Sequence, residues 1–164
     1  PLYNPFALGN AWFVDEVQYV NNANEEIEAI HDLNPLQKAV VDKKFESSVR
    51  SLPSDSEATI ELVDYQPNYL KYEVDSEKGG TVVFSEIYYP GWQSTVDGEE
   101  VPHGRANYIL RAMNVPAGKH VVEFKFDPKS LHTTETIAFV ALGLLALLAV
   151  VVVVLRVKAC RKAE

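Results

Sequence analysis

One stretch near the C-terminus limits the folds open to this chain more than any other feature. Residues 137–155 read IAFVALGLLALLAVVVVVL, nineteen positions without a charged side chain. As a helix this stretch is about 29 Å long, which matches the roughly 30 Å hydrocarbon core of a bilayer. A lone strand would leave backbone groups unpaired in lipid, so the valine-rich end is also expected to be helical. The alternative is a helix buried in a soluble domain, but the remaining residues are too few to surround it. We therefore predict a transmembrane helix at residues 137–155.

The charges on the two sides of this span predict its orientation. Four of the chain's fifteen Lys and Arg residues follow it, namely Arg156, Lys158, Arg161 and Lys162. By the positive-inside rule, residues 156–164 are a basic cytoplasmic tail and residues 1–136 are extracytoplasmic. That outer part carries 11 basic and 22 acidic side chains. Nucleic acids bind clustered Lys and Arg, so this acidic part is not expected to bind nucleic acid. The apolar span makes the lipid bilayer an expected partner.

The first residues lack the features of a secretory signal. The chain starts at Pro1, without a basic segment followed by an apolar one. The outer part must nevertheless cross the membrane, so we expect a signal peptide or further transmembrane helices upstream. The single cysteine, Cys160, lies in the predicted tail, so the outer part has no disulfide and depends on packing.

Between residues 10 and 131 the apolar positions mostly alternate, which is typical of strands. The predicted strands are 11–20, 38–42, 58–65, 68–74, 81–88, 92–96, 108–113 and 119–126. Gly and Pro separate many of them, and Asp97-Gly98 is a strong hairpin signal. Many short strands with such turns predict a mainly β fold, an antiparallel β-sandwich of the Ig-like or jelly-roll kind, over residues 1–131. Residues 132–136 are then a short linker to the span.

One segment departs from the strand pattern and predicts a short amphipathic helix at residues 22–33. Asn24 is a suitable N-cap, and acidic residues follow it in the first turn. Ile27, Ile30 and Leu33 fall on one face at helical spacing. The segment 47–57, rich in Ser and acidic residues, is predicted to be an exposed loop.

A search for catalytic motifs finds no recognisable set. The chain has no Gly-rich phosphate loop, no GxSxG and no HExxH, and its four histidines lack metal-ligand spacing. We therefore predict no catalytic residues, no metal site and no cofactor in this chain. A carboxylate pair such as Glu86 and Asp97 could serve acid/base chemistry, but such pairs arise by chance in an acidic chain.

The segment SEIYYPGWQSTVDG, residues 85–98, concentrates aromatic side chains beside a Pro-Gly turn. Flat rings next to carboxylates often hold sugars, yet the same rings commonly fill a sandwich core. Core packing is the more frequent use, and both readings stay open. A buried Glu86 would need a partner, which Arg105 or Arg111 could supply. The candidate ligand contacts are Glu86, Tyr88, Tyr89, Trp92 and Asp97.

Several segments resemble one known family in order and in sequence. They are ALGNAWFVDEVQYV, ATIELVDYQPNYLKYEV, VFSEIYYPGW, VDG and ANYILRAMNVPAGKHVVEFKFDP, followed by the terminal apolar span. Together they resemble the C-terminal end of the YfhO family of bacterial membrane proteins. The resemblance implies a polytopic protein of the bacterial cytoplasmic (inner) membrane, similar to GT-C glycosyltransferases that use polyprenyl-phosphate-linked sugars on the outer face.

This resemblance also implies what the chain contacts. Its expected partners are upstream transmembrane helices of the same parent protein and an envelope glycan or polyprenyl-linked sugar. The family's catalytic part precedes the region that this chain resembles, so no catalytic residue is carried over. The expected role is an extracytoplasmic accessory domain of a glycosylation enzyme. The alternative is a non-catalytic structural or carbohydrate-binding ectodomain on a membrane anchor.

Overall fold

The computed structural model describes residues 7–53 and 56–162, and the chain divides into two compact units at Asp127 and Pro128. The first unit, called the β unit here, is built mainly from strands. The second unit is one long helix. The chain is therefore mainly β with a C-terminal apolar helix, as the hydrophobic pattern predicts.

The strands of the β unit form two antiparallel sheets and one parallel pair. In chain order the elements are β1 (Ala11–Val14), β2 (Glu16–Val20), α1 (Ala23–Ile30), β3 (Lys38–Asp42), a 3-10 turn (Lys43–Phe45), β4 (Thr59–Gln66), β5 (Tyr69–Ser76), β6 (Gly80–Ile87), β7 (Trp92–Val96), β8 (Glu99–Glu100), β9 (Gly104–Ala106), β10 (Leu110–Val115) and β11 (Gly118–Phe126). The first sheet has the strand order β1-β6-β10-β9, and the second has the order β4-β5-β11-β7-β8. β2 and β3 pair in parallel.

The main core lies between the two antiparallel sheets. Alternate residues of β5, including Leu70 and Tyr72, face alternate residues of β6 and β10. The rings of Tyr72, Phe84 and Phe124 meet edge to face, with centroids 4.8–6.2 Å apart. Such ring pairs contribute beyond the apolar area that they bury. This packing is the antiparallel sandwich that the period-two pattern predicts.

A third layer covers the other face of the first sheet. Val83 and Ala112 point away from the main core and pack against Val17, Ala39 and Val41 of the parallel pair. The segment 11–20, predicted as one strand, is interrupted at Asp15 because β1 pairs with β6 whereas β2 pairs with β3. Parallel neighbours need a crossover connection, and the segment containing α1 supplies it.

Helix α1 differs in two respects from the sequence prediction. Asn22, not Asn24, is the N-cap, because its side chain accepts from the backbone N–H groups of Asn24 and Glu25. The expected apolar face is only partly covered, since Ile30 and Leu33 are half-buried but Ile27 is 52% exposed, whereas Glu26 is fully buried. Glu26 is covered because it forms an ion pair with a residue of β9, described below.

The C-terminal helix, α2 (Lys129–Lys162), contains a stretch from Ser130 to Arg156 that is long and apolar enough to cross a membrane. The large apolar side chains within 137–155 are 45–72% exposed. Residues 132–136, predicted as a linker, are helical and continuous with the apolar stretch. Thr134 and Thr136 each donate a hydroxyl hydrogen bond to a carbonyl one turn earlier in the helix, at 2.5 and 2.8 Å.

Candidate functional site

Three of the five candidate ligand contacts come together around one depression of the β unit. Tyr88, Tyr89 and Trp92 line a cleft of about 250 Å³, together with polar side chains that include Ser94, Glu100 and His103. This depression is called the aromatic cleft below. Rings and polar groups therefore share one small concave surface, as the sequence pattern allows.

The turn after β6 places these aromatic residues at the margin of the sandwich. β6 belongs to the first sheet and β7 to the second, so Pro90 and Gly91 carry the chain across the gap between the sheets. Gly91 has φ 105°, a conformation that side chains with a Cβ rarely adopt. The backbone N–H of Tyr88 donates to the Ile109 carbonyl at 2.7 Å, and that of Asp127 donates to the Gly91 carbonyl at 2.9 Å. The loop that bears the rings is thus fixed at both ends.

The three rings differ in how far packing occupies them. Tyr88 lies edge to face with Phe45 and His103, with centroids 5.2 and 5.7 Å apart. The Trp92 ring lies 5.4 Å from that of Phe126 and borders the main core. Tyr89 is 60% exposed. The core-packing and ligand-contact readings therefore apply to different residues, and Tyr89 is the ring most open to a ligand.

Behind Trp92 lies a buried arginine. Arg111 of β10 is 2% exposed, and its guanidinium carbon lies 4.0 Å from the Trp92 ring centroid. Its Nε donates to the Ile87 carbonyl at 3.0 Å, and one terminal nitrogen lies 3.9 Å from Glu86 Oε2. Burial lowers the pKa of Arg111, and the charge of Glu86 opposes that effect. Of the two partners considered for Glu86, the structure selects Arg111. Glu86 does not line the cleft but neutralises the cation that supports Trp92.

Ser94 and His103 form a polar pair that the sequence search did not identify. Ser94 Oγ lies 2.5 Å from the Val101 carbonyl and 2.7 Å from His103 Nδ1. A carbonyl only accepts, so the Ser94 hydroxyl donates to Val101 and His103 Nδ1 must donate to Ser94. Burial and the charge of Arg111 lower the pKa of His103 to about 4. His103 is therefore neutral and keeps Nε2 as an acceptor, and Ser94 has no free proton for nucleophilic catalysis.

A sequence signal for this pair did exist. The Asp97-Gly98 hairpin pairs Val96 with Glu99, and continuing that register places Val101 opposite Ser94. His103 follows two residues later. The hairpin alone thus predicts that His103 approaches the start of β7.

Asp97 lies away from the aromatic cleft. It is separated from Trp92 by the length of β7, about 16 Å. Its carboxylate accepts from the Val121 backbone N–H at 2.8 Å and lies 2.6 Å from His120 Nδ1. These hydrogen bonds, the Val121 bond first, lower the pKa of Asp97. Glu86 and Asp97 are therefore not brought together as an acid/base pair.

No metal site accompanies the cleft in the described part of the chain. Within residues 7–53 and 56–162, no three or more His, Cys, Asp or Glu side chains are grouped so that they could hold a metal ion. The chemistry that the cleft offers is stacking on rings and hydrogen bonding to Glu100 and His103.

Comparison with known proteins gives one match. A family model described as bacterial membrane protein YfhO matches residues 39–155, more than half of the chain. The matched region includes the aromatic cleft and the apolar stretch of α2. No curated protein and no solved structure matches the chain.

Proposed function

The chain belongs to the YfhO family of bacterial membrane proteins, and from this membership we propose that it serves cell-envelope glycosylation. In this proposal it is the extracytoplasmic C-terminal domain and last membrane span of a polytopic protein that uses polyprenyl-phosphate-linked sugars. The β unit holds the glycan acceptor or the linked sugar in the aromatic cleft. Transfer itself takes place in upstream helices of the parent protein.

The observation that carries this proposal is the composition of the aromatic cleft. The exposed ring of Tyr89 offers a flat apolar face, onto which the C–H face of a sugar ring can stack. Glu100 and the neutral His103 offer hydrogen-bond acceptors to sugar hydroxyls on the same surface. The cleft is smaller than most ligand pockets, which are about 300–1,000 Å³, and so suits a single terminal sugar unit.

The proposed orientation rests on the charges that flank the membrane helix. The chain is a membrane protein, and Arg156, Lys158 and Arg161 follow the apolar stretch of α2. The positive-inside rule assigns this end to the cytoplasm, so the β unit lies on the outer face of the cytoplasmic (inner) membrane. That is the side on which polyprenyl-linked sugars would reach the cleft.

A binding experiment on the full chain tests the role of the cleft. Saturation-transfer NMR would be recorded in detergent micelles with soluble envelope oligosaccharides. Tyr89→Ala should weaken the signal about 2- to 10-fold, the effect of losing one aromatic contact. Tyr65→Ala is the matched control, since Tyr65 is 65% exposed on β4 and does not line the cleft. Absence of signal from the unaltered chain, or equal signals from both variants, would refute the proposal.

A second function is a non-catalytic carbohydrate-binding or structural domain. The packing of Trp92 and Glu86 against Arg111 favours this function, because these contacts stabilise the fold and do not bind a ligand. The two functions are separated by introducing Tyr89→Ala into the complete parent protein. An accessory role in transfer predicts that sugar transfer and glycan binding fall together, whereas a separate binding domain predicts that only binding falls.

A further inference from the structure

We propose that one end of the β unit docks into the interfacial region of the bilayer. This end carries Ile87, Tyr108 and Ile109, which lie outside the aromatic cleft, and it is called the apolar end below. Their side chains are 37–63% exposed, although each is large and apolar or aromatic. Clustered apolar exposure of this kind marks surfaces that contact a membrane or another protein.

The strand register brings these three residues together. Ile87 at the end of β6 is paired with Leu110 at the start of β10. The hydrogen bond from Tyr88 to the Ile109 carbonyl joins the two loops that follow and precede these strands. Tyr108 is held by Arg105, whose guanidinium carbon lies 5.3 Å from its ring centroid. The exposed side chains therefore occupy neighbouring loops at one end of the sandwich.

The opposite end of the sandwich is charged, not apolar. Its turns carry exposed charged side chains, which are Glu77, Lys78, Asp97, Glu99 and Lys119. Within the described segments 74–80, 96–101 and 115–121, no large apolar side chain is exposed. The β unit is thus polarised along its strands, apolar at one end and charged at the other.

Chain connectivity assigns the apolar end to the membrane side. β11 ends near it, because the Phe126 ring lies 6.2 Å from that of Tyr89, which follows Ile87 by two residues, and the Phe126 N–H donates to the Asn68 carbonyl. Two residues, Asp127 and Pro128, then precede α2. The first eight helical residues, 129–136, rise only about 12 Å before the uncharged stretch begins. A tether of this length holds the apolar end, and not the charged one, close to the lipid surface.

The occupant that fits is lipid, not a second copy of the chain. When α2 is inserted in the bilayer, the β unit is already beside lipid, so docking needs no separate diffusional encounter with a partner. Tyrosine is enriched at the level of lipid headgroups, where its ring is apolar and its hydroxyl is hydrated. The hydroxyls of Thr134 and Thr136 already bond within the helix, so the polar start of α2 can approach the same region.

Depth-dependent quenching in nanodiscs that contain one full chain each tests the inference. On a Cys160→Ser background, an environment-sensitive NBD label would be attached at Ile109→Cys, or at Glu99→Cys on the charged end as the matched control. Both positions are exposed, so labelling should not disturb the fold. We expect a blue-shifted label at 109 that lipids with nitroxide headgroups quench at least twofold more strongly than the label at 99.

Every other outcome would overturn the inference. Equal quenching at both positions would place neither end in lipid. A blue shift at 109 without nitroxide quenching would show contact with protein instead. As a second measurement, Ile87→Ser with Ile109→Ser should reduce the quenching of a label at Gln66→Cys, the last residue of β4, next to the β4–β5 turn at the same end. None of these substituted residues lines the aromatic cleft, so failure here leaves the glycan-binding experiment unaffected.

Discussion

At the scale of single residues, His103 and His120 lie in opposite electrostatic surroundings. Burial and the nearby Arg111 lower the pKa of His103 to about 4. The hydrogen bond to Asp97, followed by that to the Ala117 carbonyl, raises the pKa of His120. Both partners of His120 are acceptors, at 2.6 and 2.9 Å, so its charged form donates from both ring nitrogens. The two histidines should therefore affect stability in opposite pH ranges.

The substitution His103→Asn should reduce the acid sensitivity of folding. Between pH 6.5 and about 4 the unfolded chain binds a proton at residue 103 that the folded chain does not, so stability falls as the pH falls. One proton corresponds to a slope of at most about 1.4 kcal/mol per pH unit. Asn retains a donor for Ser94 but does not titrate. Urea unfolding followed by tryptophan fluorescence from pH 4 to pH 9 would show a flatter acid limb.

The substitution His120→Asn should change the pH dependence of stability in the opposite direction. The stabilising contribution of His120 is complete below its unfolded pKa and is lost as the pH rises through the raised folded value. This variant should therefore lose more stability at pH 6 than at pH 9. The same pH profile for both variants would contradict the assigned surroundings.

The surroundings of Glu86, Asp97 and His103 could be predicted from the sequence only in part. The need of a covered carboxylate for compensation predicts a cationic partner for Glu86, either Arg105 or Arg111, and the structure pairs Glu86 with Arg111 and Arg105 with Glu26. The distance of Asp97 from the cleft follows from the predicted bounds of β7, which separates it from Trp92. The burial of His103, in contrast, depends on which sheet each strand joins. No property of the residues themselves indicates that choice.

At the scale of elements, α1 is held to the β unit by a buried ion pair. Glu26 Oε2 lies 2.6 Å from a terminal nitrogen of Arg105 on β9, and Oε1 accepts from the Tyr108 backbone N–H at 2.8 Å. Glu26→Gln should lower the free energy of unfolding by about 3 kcal/mol, since Arg105 would lose its counter-charge. Glu28→Gln, on the exposed side of the same helix, should change it by less than about 0.5 kcal/mol.

Chemical denaturation of the two helix variants in micelles provides the measurement. The unfolding midpoint should shift for the Glu26 variant and stay constant for the Glu28 variant. An unchanged midpoint at Glu26 would mean that the ion pair does not hold α1 in place.

The elements with local turn signals are those that the sequence predicts best. β7 has the predicted bounds, Trp92–Val96, because a Pro-Gly turn and an Asp-Gly hairpin delimit it. β8 and β9 have two and three residues and are too short to show a period. The N-cap of α1 was predicted incorrectly although its signal is local, since the Asn22 side chain accepts from the N–H groups of Asn24 and Glu25. The burial of Glu26 could not be predicted, because its partners Arg105 and Tyr108 are distant in sequence.

At the scale of the whole molecule, the antiparallel sandwich and the apolar helix follow from two strong patterns. Period-two alternation predicts sheets with one buried face, and nineteen uncharged residues predict a span. The third layer could not be predicted in this way. It exists because α1 returns the chain so that β3 pairs in parallel with β2, and the apolar residues of both strands then cover the first sheet.

Both apolar clusters of the β unit are formed before Asp127, and this predicts that the unit folds without α2. The buried residues of both clusters lie between Val14 and Phe124. A chain that ends at Asp127 should be soluble and should unfold with a free energy within about 0.5 kcal/mol of the full chain in micelles. A chain that ends at Val115 is the control and should not fold, because it lacks β11, the strand between β5 and β7. Circular dichroism and the dispersion of amide NMR signals would report folding, and an aggregated or unfolded chain ending at Asp127 would show that the β unit depends on its membrane helix.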